Sequence, residues 1–472
     1  MTATCETETL LSCKNSQGFE INATPLRLNR HLVVFEVYSP EPLLRLSEVL
    51  SEFRIVVGER PVYAGRAVVS NLIGIGSIVV CEATLEDSWV DVELFQLLKQ
   101  ENGLAAGFNH FFEQWEQSYR VLPEYKVVVS DLQTFLSELR LWMEQLELEI
   151  HSSPSANRAQ LEREVIQRLD QPVLSTLTHF FEKSERIVEP LEDELKPAHR
   201  AYIKRQLHPL LLSSPFLYRT FAKPLGYAGD YEMVNMITRD PLEGGSLFAK
   251  IVNLWFLRQP PAEAHRNRIV YLTRKLLEEA ARTVSEGRSA RVMNLGCGPA
   301  CEVKRCLAES ELSNDIQFNL LDFNEETLVN TRGVLNRIKE KHDRKTQINF
   351  LRKSVNQVLK EGARTVEGSP ETKYDLVYCA GLFDYLSQQI CQRLMDILYS
   401  WVAPGGLLVA TNVHVCNPRR LTMEYVMEWN LIYRDSAQMA DLRPERATAD
   451  DVFVCTDETG VNVYIEVRKP KK

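Results

Sequence analysis

The chain has 472 residues, of which 44% are hydrophobic and 25% charged, and a formal net charge of −9 at pH 7. A chain of this length holds roughly two to four domains. Its acidic balance argues against sequence-independent nucleic-acid binding, which needs a basic face. No apolar run approaches the ~20 residues of a membrane-spanning helix. The first residues, Met1-Thr2-Ala3-Thr4-Cys5-Glu6, lack a basic region leading into an apolar one, so no secretory signal is expected. The 10 cysteines are scattered without Cys-x-x-Cys or Cys/His ligand spacing. That predicts reduced thiols in a cytoplasm and no metal site.

Up to Pro123 the chain reads mostly as β. Short runs rich in β-branched residues at 31–38, 53–57, 66–69 and 77–81 are punctuated by Gly58, Gly65, Gly74 and Gly76, a pattern that suggests a small sandwich or barrel. The segment 94–119 predicts a closing helix with Phe108, Phe111, Phe112 and Trp115 on its apolar side.

Arg27-Leu28-Asn29-Arg30, followed by Asn71-Leu72-Ile73-Gly74-Ile75-Gly76, resembles a PilZ-type barrel. That family binds cyclic di-GMP through an Arg-x-x-x-Arg motif and an Asp/Asn-x-Ser-x-x-Gly motif. Here the arginines stand one residue closer together and Ile73 replaces the serine. The resemblance therefore implies a degenerate barrel used for docking or regulation, and cyclic di-GMP is not an expected ligand.

A helical region follows, over 124–286. Ser130-Asp131-Leu132-Gln133 has the spacing of a capping box. Leu132, Phe135, Leu136, Leu139, Met143, Leu146 and Ile150 then recur every three or four residues, as one face of a helix does. A second helix is expected from Arg158, with Leu161, Val165, Leu169, Val173 and Leu177 apolar. This region is a candidate lid or homodimerisation element. The segment 218–232, rich in rings around Pro224, Gly226 and Gly229, reads as an irregular connection over an active site. Pro260-Pro261 opens a further helix, to about residue 282, and Gly287 begins the next domain.

From Ala290 the pattern alternates strand and helix, as in a parallel sheet. A strand at 290–295 runs into the turn Gly296-Cys297-Gly298, with a helix from Glu302. Glycines there permit tight dihedrals and close backbone approach to a ligand. A second strand, 316–321, ends in Asp322, 24 residues after Gly298. An acid in that place can accept hydrogen bonds from both hydroxyls of a ribose. Further strands are expected at 348–351, 374–379 and 407–412, the last preceded by Pro404-Gly405-Gly406. Segments 452–455 and 461–467 form a terminal hairpin.

This arrangement resembles a class I S-adenosylmethionine-dependent methyltransferase. A dehydrogenase reading ranks second, because the fuller Gly-x-Gly-x-x-Gly is missing and a terminal hairpin is present. The resemblance implies S-adenosyl-L-methionine as cofactor, with Gly296, Cys297 and Gly298 along its methionine portion and Asp322 on its ribose. Phe323 and the Ser354-Val355 turn would flank the adenine, and backbone near Cys379 and Gly381 would complete the pocket. Asn294, which stands where the family has an acid, would still make polar contacts to the cofactor, and Ala300 stands where the family has a third glycine. The expected architecture is thus multidomain: a PilZ-like β-barrel (1–123), a helical region (124–286) and a Rossmann-like α/β methyltransferase domain (287–472). The last would have a seven-stranded sheet ending in an antiparallel hairpin.

The segment 224–232, with Asn412-Val413-His414 and 429–434, is also similar to a bacterial family that makes an extracellular factor, 3-hydroxypalmitic acid methyl ester. That resemblance implies carboxyl O-methylation of a 3-hydroxy fatty acid or similar small acid. A carboxylate is ionised at neutral pH and needs no general base. Arg266, Arg268 or Arg434 could hold it bidentately, with Tyr231 also against substrate and Tyr227 near the chemistry. For a hydroxyl or amine acceptor, His414 or Asp384 becomes the base. Cys379-Ala380-Gly381-Leu382 stands where amino-methylating nucleic-acid enzymes carry Asp/Asn-Pro-Pro-aromatic, so a nucleic-acid substrate is not expected. Protein methylation, or a regulatory ligand-binding protein with an inactive methyltransferase fold, are the alternatives.

Overall fold

The computed structural model describes residues 9–29, 31–38, 44–58, 60–75, 78–85, 108–109, 112, 120–152, 154, 157–362 and 373–471. The chain forms two compact units, neither continuous in sequence. The first comprises Met1–Ala228, Pro241–Phe256 and Arg420–Asn430; the second comprises Gly229–Asp240, Leu257–Arg419 and Leu431–Lys472. The barrel and most of the helices expected over 124–286 share the first unit.

In the first unit, β1 (Thr9–Lys14), β2 (Glu20–Ala23), β3 (Pro25–Asn29), β4 (Leu32–Tyr38), β5 (Val49–Val57), β6 (Arg60–Ile75) and β7 (Ile78–Leu85) form one antiparallel sheet, in the order β2-β1-β5-β6-β7-β4-β3. The two ends of the sheet approach each other, β2 against β4 and β1 against β3, so the sheet is barrel-like and nearly closed. Alternation along the strands sends Phe35, Phe53 and Tyr63 to the interior, with ring centroids 6.3 and 6.0 Å apart. The first three strands are additions to the sequence reading. Asn71, Leu72, Ile73 and Gly74 lie inside the long β6, and Arg27 lies in β3. Arg30, Gly76, Phe111 and Trp115 fall outside the described residues, as does most of the segment 94–119.

The helices α1 (Pro123–Ser152), α2 (Arg158–Val188), α3 (Lys196–Leu211) and α4 (Pro215–Ala222) follow. The first begins at Pro123 and not at Ser130. Proline suits the first helical position, where its missing N–H costs nothing, and Ser130 lies within the helix, its carbonyl accepting from Thr134 Oγ1. The barrel is joined to the helical part by the hydroxyl of Ser47, which donates to Asn430 O and accepts from Asn430 N, and by Val49 N donating to Gly226 O. Gly226 takes φ +83°, and a Cβ there would stand 3.0 Å from Cβ of Ser16. The glycine therefore serves close packing against the barrel. The segment 224–232 divides at Ala228/Gly229 between the units, so only its end belongs to the second.

The second unit contains α5 (Tyr231–Thr238) and, after α6 (Leu247–Leu257) has led out of the first unit, α7 (Pro260–Ser285). Then come β8 (Ala290–Leu295), α8 (Cys301–Glu309), β9 (Ile316–Asp322), α9 (Glu325–Lys341), β10 (Gln347–Arg352), α10 (Val355–Gly362), β11 (Tyr374–Cys379), α11 (Gln388–Trp401) and β12 (Val402–Val413). The helix α12 (Arg420–Val426) returns to the first unit, and α13 (Ser436–Ala440), β13 (Val452–Thr456) and β14 (Asn462–Arg468) close the second. Its sheet has seven strands in the order β10-β9-β8-β11-β12-β14-β13. The first five are parallel and the last two form an antiparallel hairpin on β12. These are the parallel strands and closing hairpin that the methyltransferase resemblance implied.

The inner strands are mostly apolar, as suits a parallel sheet covered by helices on both faces. Val292, Phe318, Leu320, Leu376 and Val409 lie in its core, with Leu272, Leu276 and Ala280 of α7 and Val303 and Leu307 of α8. The strand β12 starts earlier than expected and takes in Pro404-Gly405-Gly406. A Cβ on Gly406 would come within 2.9 Å of Asp375 O, so glycine is what lets β12 approach β11 there. Among the described residues no helix is long and apolar enough to cross a membrane.

Candidate functional site

The carboxyl ends of β8, β9 and β11 converge in the second unit. Chain reversal after β8 is made by Gly296 (φ +72°) and Gly298 (φ +50°), conformations that side chains disfavour. Gly296 N and Cys297 N both donate to Leu321 O, at 2.8 and 3.0 Å. Gly298 N donates to Asp322 Oδ2 at 3.0 Å, and Thr331 Oγ1 to Gly298 O at 2.8 Å. The glycine loop is therefore latched to the end of the neighbouring strand. A Cβ on Gly298 would meet nothing within 4 Å, and one on Gly296 only Leu382, at 3.8 Å. Gly298 thus borders open space among the described residues, and Gly296 has ordinary contact with Leu382 alone.

Asp322 is buried, and its other oxygen accepts from Asn324 N at 3.0 Å. A carboxylate has about four acceptor positions, and two of those on Asp322 face main-chain amides of its own and the neighbouring loop. Phe323, next along the chain, is half-buried. Ser354 and Val355 begin α10: Ser354 Oγ accepts from Gln357 N while Ser354 N donates to Gln357 Oε1, a reciprocal cap. The serine hydroxyl is thus engaged in starting the helix. Cys379 is fully buried, and burial pushes its thiol well above the usual range. Beyond it, Gly381 turns the chain at φ +81°, its N–H donating to Thr411 Oγ1 at 3.1 Å.

Asn294 is buried beneath the loop. Its Nδ2 donates to Glu302 Oε1 at 3.1 Å, its Oδ1 has no partner, and the same Glu302 oxygen accepts from Tyr378 OH at 2.7 Å. The sequence reading missed Glu302. An acid in the first turn of a helix looks like an ordinary complement to the helix dipole, and only the fold brings it under Asn294. Burial raises its carboxyl, opposed first by the hydrogen bond from Tyr378. Ala300, in the position of the third glycine, takes a left-handed conformation at φ +48°.

The residues expected to act on substrate separate clearly. Arg434 is buried and fully engaged: Nη1 donates to Phe383 O and Asn412 Oδ1, Nη2 to Leu386 O, and Nε to Gln388 Oε1. It organises the loops after β11 and β12, and its guanidinium has no fork left for a carboxylate. Arg266 is likewise spent on Glu263, Ile237 O and Leu257 O. Tyr231 donates to Glu326 Oε1 at 2.9 Å on α9. Tyr227 belongs to the first unit and the glycine loop to the second.

His414 sits at the end of β12, with Nδ1 accepting from Cys416 N at 3.2 Å and the Cys416 thiol 2.9 Å away. In the tautomer with Nδ1 as acceptor, Nε2 carries the proton. Asp384 is buried, with Oδ1 accepting from Val413 N at 2.6 Å and its carbonyl accepting from Ile432 N at 2.7 Å. Burial, the leading cause, raises its carboxyl. Arg268 remains. It is buried in α7, its Nη2 is bonded to His265 Nε2, and its guanidinium lies against Gly381.

No family model matches the chain, and no curated protein matches it. Solved structures similar to it include a possible exported protein from Bordetella parapertussis, 19% identical with a TM-score of 0.41, the match covering 54% of this chain and 86% of that one. Magnesium protoporphyrin IX methyltransferase from Synechocystis PCC 6803, with bound SAH, is 12% identical at a TM-score of 0.30, covering 43% of this chain and 86% of that one. An O-methyltransferase family protein from Burkholderia thailandensis is 13% identical at 0.31, covering 65% and 98%. Likenesses this distant carry no functional argument. The chemistry has to be argued from the site's own residues.

Proposed function

We propose that the second unit is an S-adenosylmethionine-dependent methyltransferase. The observation that carries this reading is the latch between Gly298 and Asp322. A glycine loop leaving one parallel strand is held by the acid that ends the next, on a sheet closed by an antiparallel hairpin. The residues fit the cofactor: Gly298 borders space that a Cβ would enter, and Asp322 places a buried carboxylate at the end of β9, where a ribose would lie. Gly296, Cys297 and Gly298 would line its amino-acid side, Asp322 its ribose, and Phe323 with the backbone at Ser354 and Val355 its base. Bound there, the cofactor supplies an electrophilic methyl group on a sulfonium.

The acceptor we favour is the carboxylate of a 3-hydroxy fatty acid or similar small acid. The resemblance carried by residues 224–232, 412–414 and 429–434 supports it. A carboxylate acceptor needs no base. The protein has only to desolvate it and align it with the methyl group. The nearly closed sheet of the first unit is read as a PilZ-like docking element without cyclic di-GMP, and the helices beside it as a homodimer contact. Incubation with methyl-labelled cofactor and a bacterial lipid extract tests the acceptor. Label in a fatty acid methyl ester is expected; label only in protein would favour protein methylation, and cofactor binding without any transfer an inactive fold.

A further inference from the structure

Arg268 is a buried cation without an ion-pair partner among the described residues. Its side chain leaves α7 toward the carboxyl end of β11, with the residue only 7% exposed. Nη2 is bonded to Nε2 of His265, one turn earlier. Nη1 and Nη2 would each lie 3.1 Å from a Cβ placed on Gly381, so the absence of a side chain there leaves the guanidinium face open. Among the described residues no carboxylate stands within ion-pair distance of it.

The two acids that feel its charge are held by other donors. Glu302 accepts from Tyr378 and Asn294, and Asp384 from Val413 N. His265 adds no charge, because burial, followed by the positive charges of Arg268 and Arg266, holds its imidazole well below the usual range. A guanidinium stays ionised in proteins. Leaving one buried without a paired carboxylate is strongly unfavourable. His265 as a whole is half-buried. Arg266 and Arg434 have already given their donors to the protein. Arg268 alone of the three has kept a fork.

We propose that Arg268 is the receptor for a ligand carboxylate at the end of β11, beside Gly381. This rests on the methyltransferase reading, which brings two such groups into play: the amino-acid carboxylate of the cofactor and that of an acid acceptor. The chemistry is shared, a planar carboxylate meeting a planar fork in two parallel hydrogen bonds.

Calorimetric titration of the full chain separates the two sources. The probes are S-adenosylhomocysteine, 5′-deoxy-5′-methylthioadenosine (which lacks the amino-acid end), 3-hydroxypalmitic acid and its methyl ester. If the cofactor is held, the wild type prefers S-adenosylhomocysteine to methylthioadenosine by about tenfold or more, as expected of a charged hydrogen-bonded pair. Arg268→Gln then removes that preference without changing methylthioadenosine affinity, and Arg268→Lys restores part of it. If the acceptor is held, Arg268→Gln leaves the nucleoside preference intact and abolishes the preference for acid over ester. Should Arg268→Gln not fold, Gly381→Ala crowds the fork at full charge and is expected to lower the same ratio. An unchanged pair of ratios, or equal losses for all four probes, would overturn the proposal and leave the cofactor reading standing. Wild-type protein that binds neither nucleoside would remove both.

Discussion

The main-chain amide of Gly298 donates a 3.0 Å hydrogen bond to Oδ2 of Asp322, tying the loop after β8 to the end of β9. One carboxylate thus shapes the loop and faces the site. Asp322→Ala would leave Gly298 N and Asn324 N without acceptors, at a cost of about 1–3 kcal/mol. Asp322→Asn keeps the shape and one carbonyl acceptor, so about 1 kcal/mol or less is expected in urea unfolding. Cofactor affinity should nonetheless fall about tenfold or more in Asp322→Asn, because the amide replaces an acceptor with a donor.

Two glycines give opposite predictions. A Cβ on Gly298 meets no protein atom within 4 Å, whereas one on Gly406 meets Asp375 O at 2.9 Å. Gly298→Ala carries only the strain of a left-handed residue, about 1 kcal/mol, yet its methyl group enters the space assigned to the cofactor. Stability should be nearly retained and S-adenosylhomocysteine binding lost. Gly406→Ala should lower stability by about 2 kcal/mol or more through overpacking against the neighbouring strand. Its folded fraction should still bind.

Ala300 is held at φ +48° and fully buried among Cys297, Val303 and Leu328. Replacing it by glycine relieves about 1 kcal/mol of backbone strain and gives up a buried methyl group worth about as much. Ala300→Gly is therefore expected to change stability by less than ~1 kcal/mol. Ala300→Val, which adds branching to the same strained backbone in a packed core, should cost about 2–3 kcal/mol. Urea unfolding of the pair checks the balance.

In the first unit, His208 donates from Nε2 to Val426 O at 2.9 Å and packs edge-on against Phe221, ring centroids 4.5 Å apart. Burial, the leading cause, lowers its pKa from 6.5 to about 4, against a smaller opposing effect of the bond to Val426. The folded state therefore favours the neutral ring. That contribution is complete above pH 6.5 and is lost as the pH falls toward about 4. Between those values the wild type should lose about 2–3 kcal/mol more stability than His208→Gln, whose amide can still donate to the carbonyl. Thermal unfolding across that range measures the difference.

Much of the second unit was legible in its sequence, because buried parallel strands read as apolar runs and glycines punctuate the turns. The hairpin at the end of the chain and the helix at 388–401 needed no tertiary information. In the first unit β1 to β3 escaped notice: Thr9–Lys14 and Glu20–Ala23 are short, and their polar outward positions mask the alternation. Ser130 carried the spacing of a cap but sits mid-helix, because Pro123 starts the helix two turns earlier. Within the candidate site, the glycine turn at 296–298 followed from local rules. Three arginines could not be ranked, because whether a guanidinium is spent on carbonyls or left open depends on loops distant in sequence. Arg434 is closed by Phe383, Leu386 and Asn412, and Arg268 is left open beside Gly381. Glu302 under Asn294 is the same kind of relationship, created by the turn and invisible before it.

The central claim is that the loop latched to Asp322 holds S-adenosylmethionine. Its most direct test is calorimetric titration of S-adenosylhomocysteine into the wild-type chain and into Asp322→Asn, with folding of both verified by circular dichroism. The account predicts one binding site in the wild type and an affinity lowered about tenfold or more in the variant. A folded wild-type chain that binds no S-adenosylhomocysteine, or a variant that binds it equally well, would contradict it.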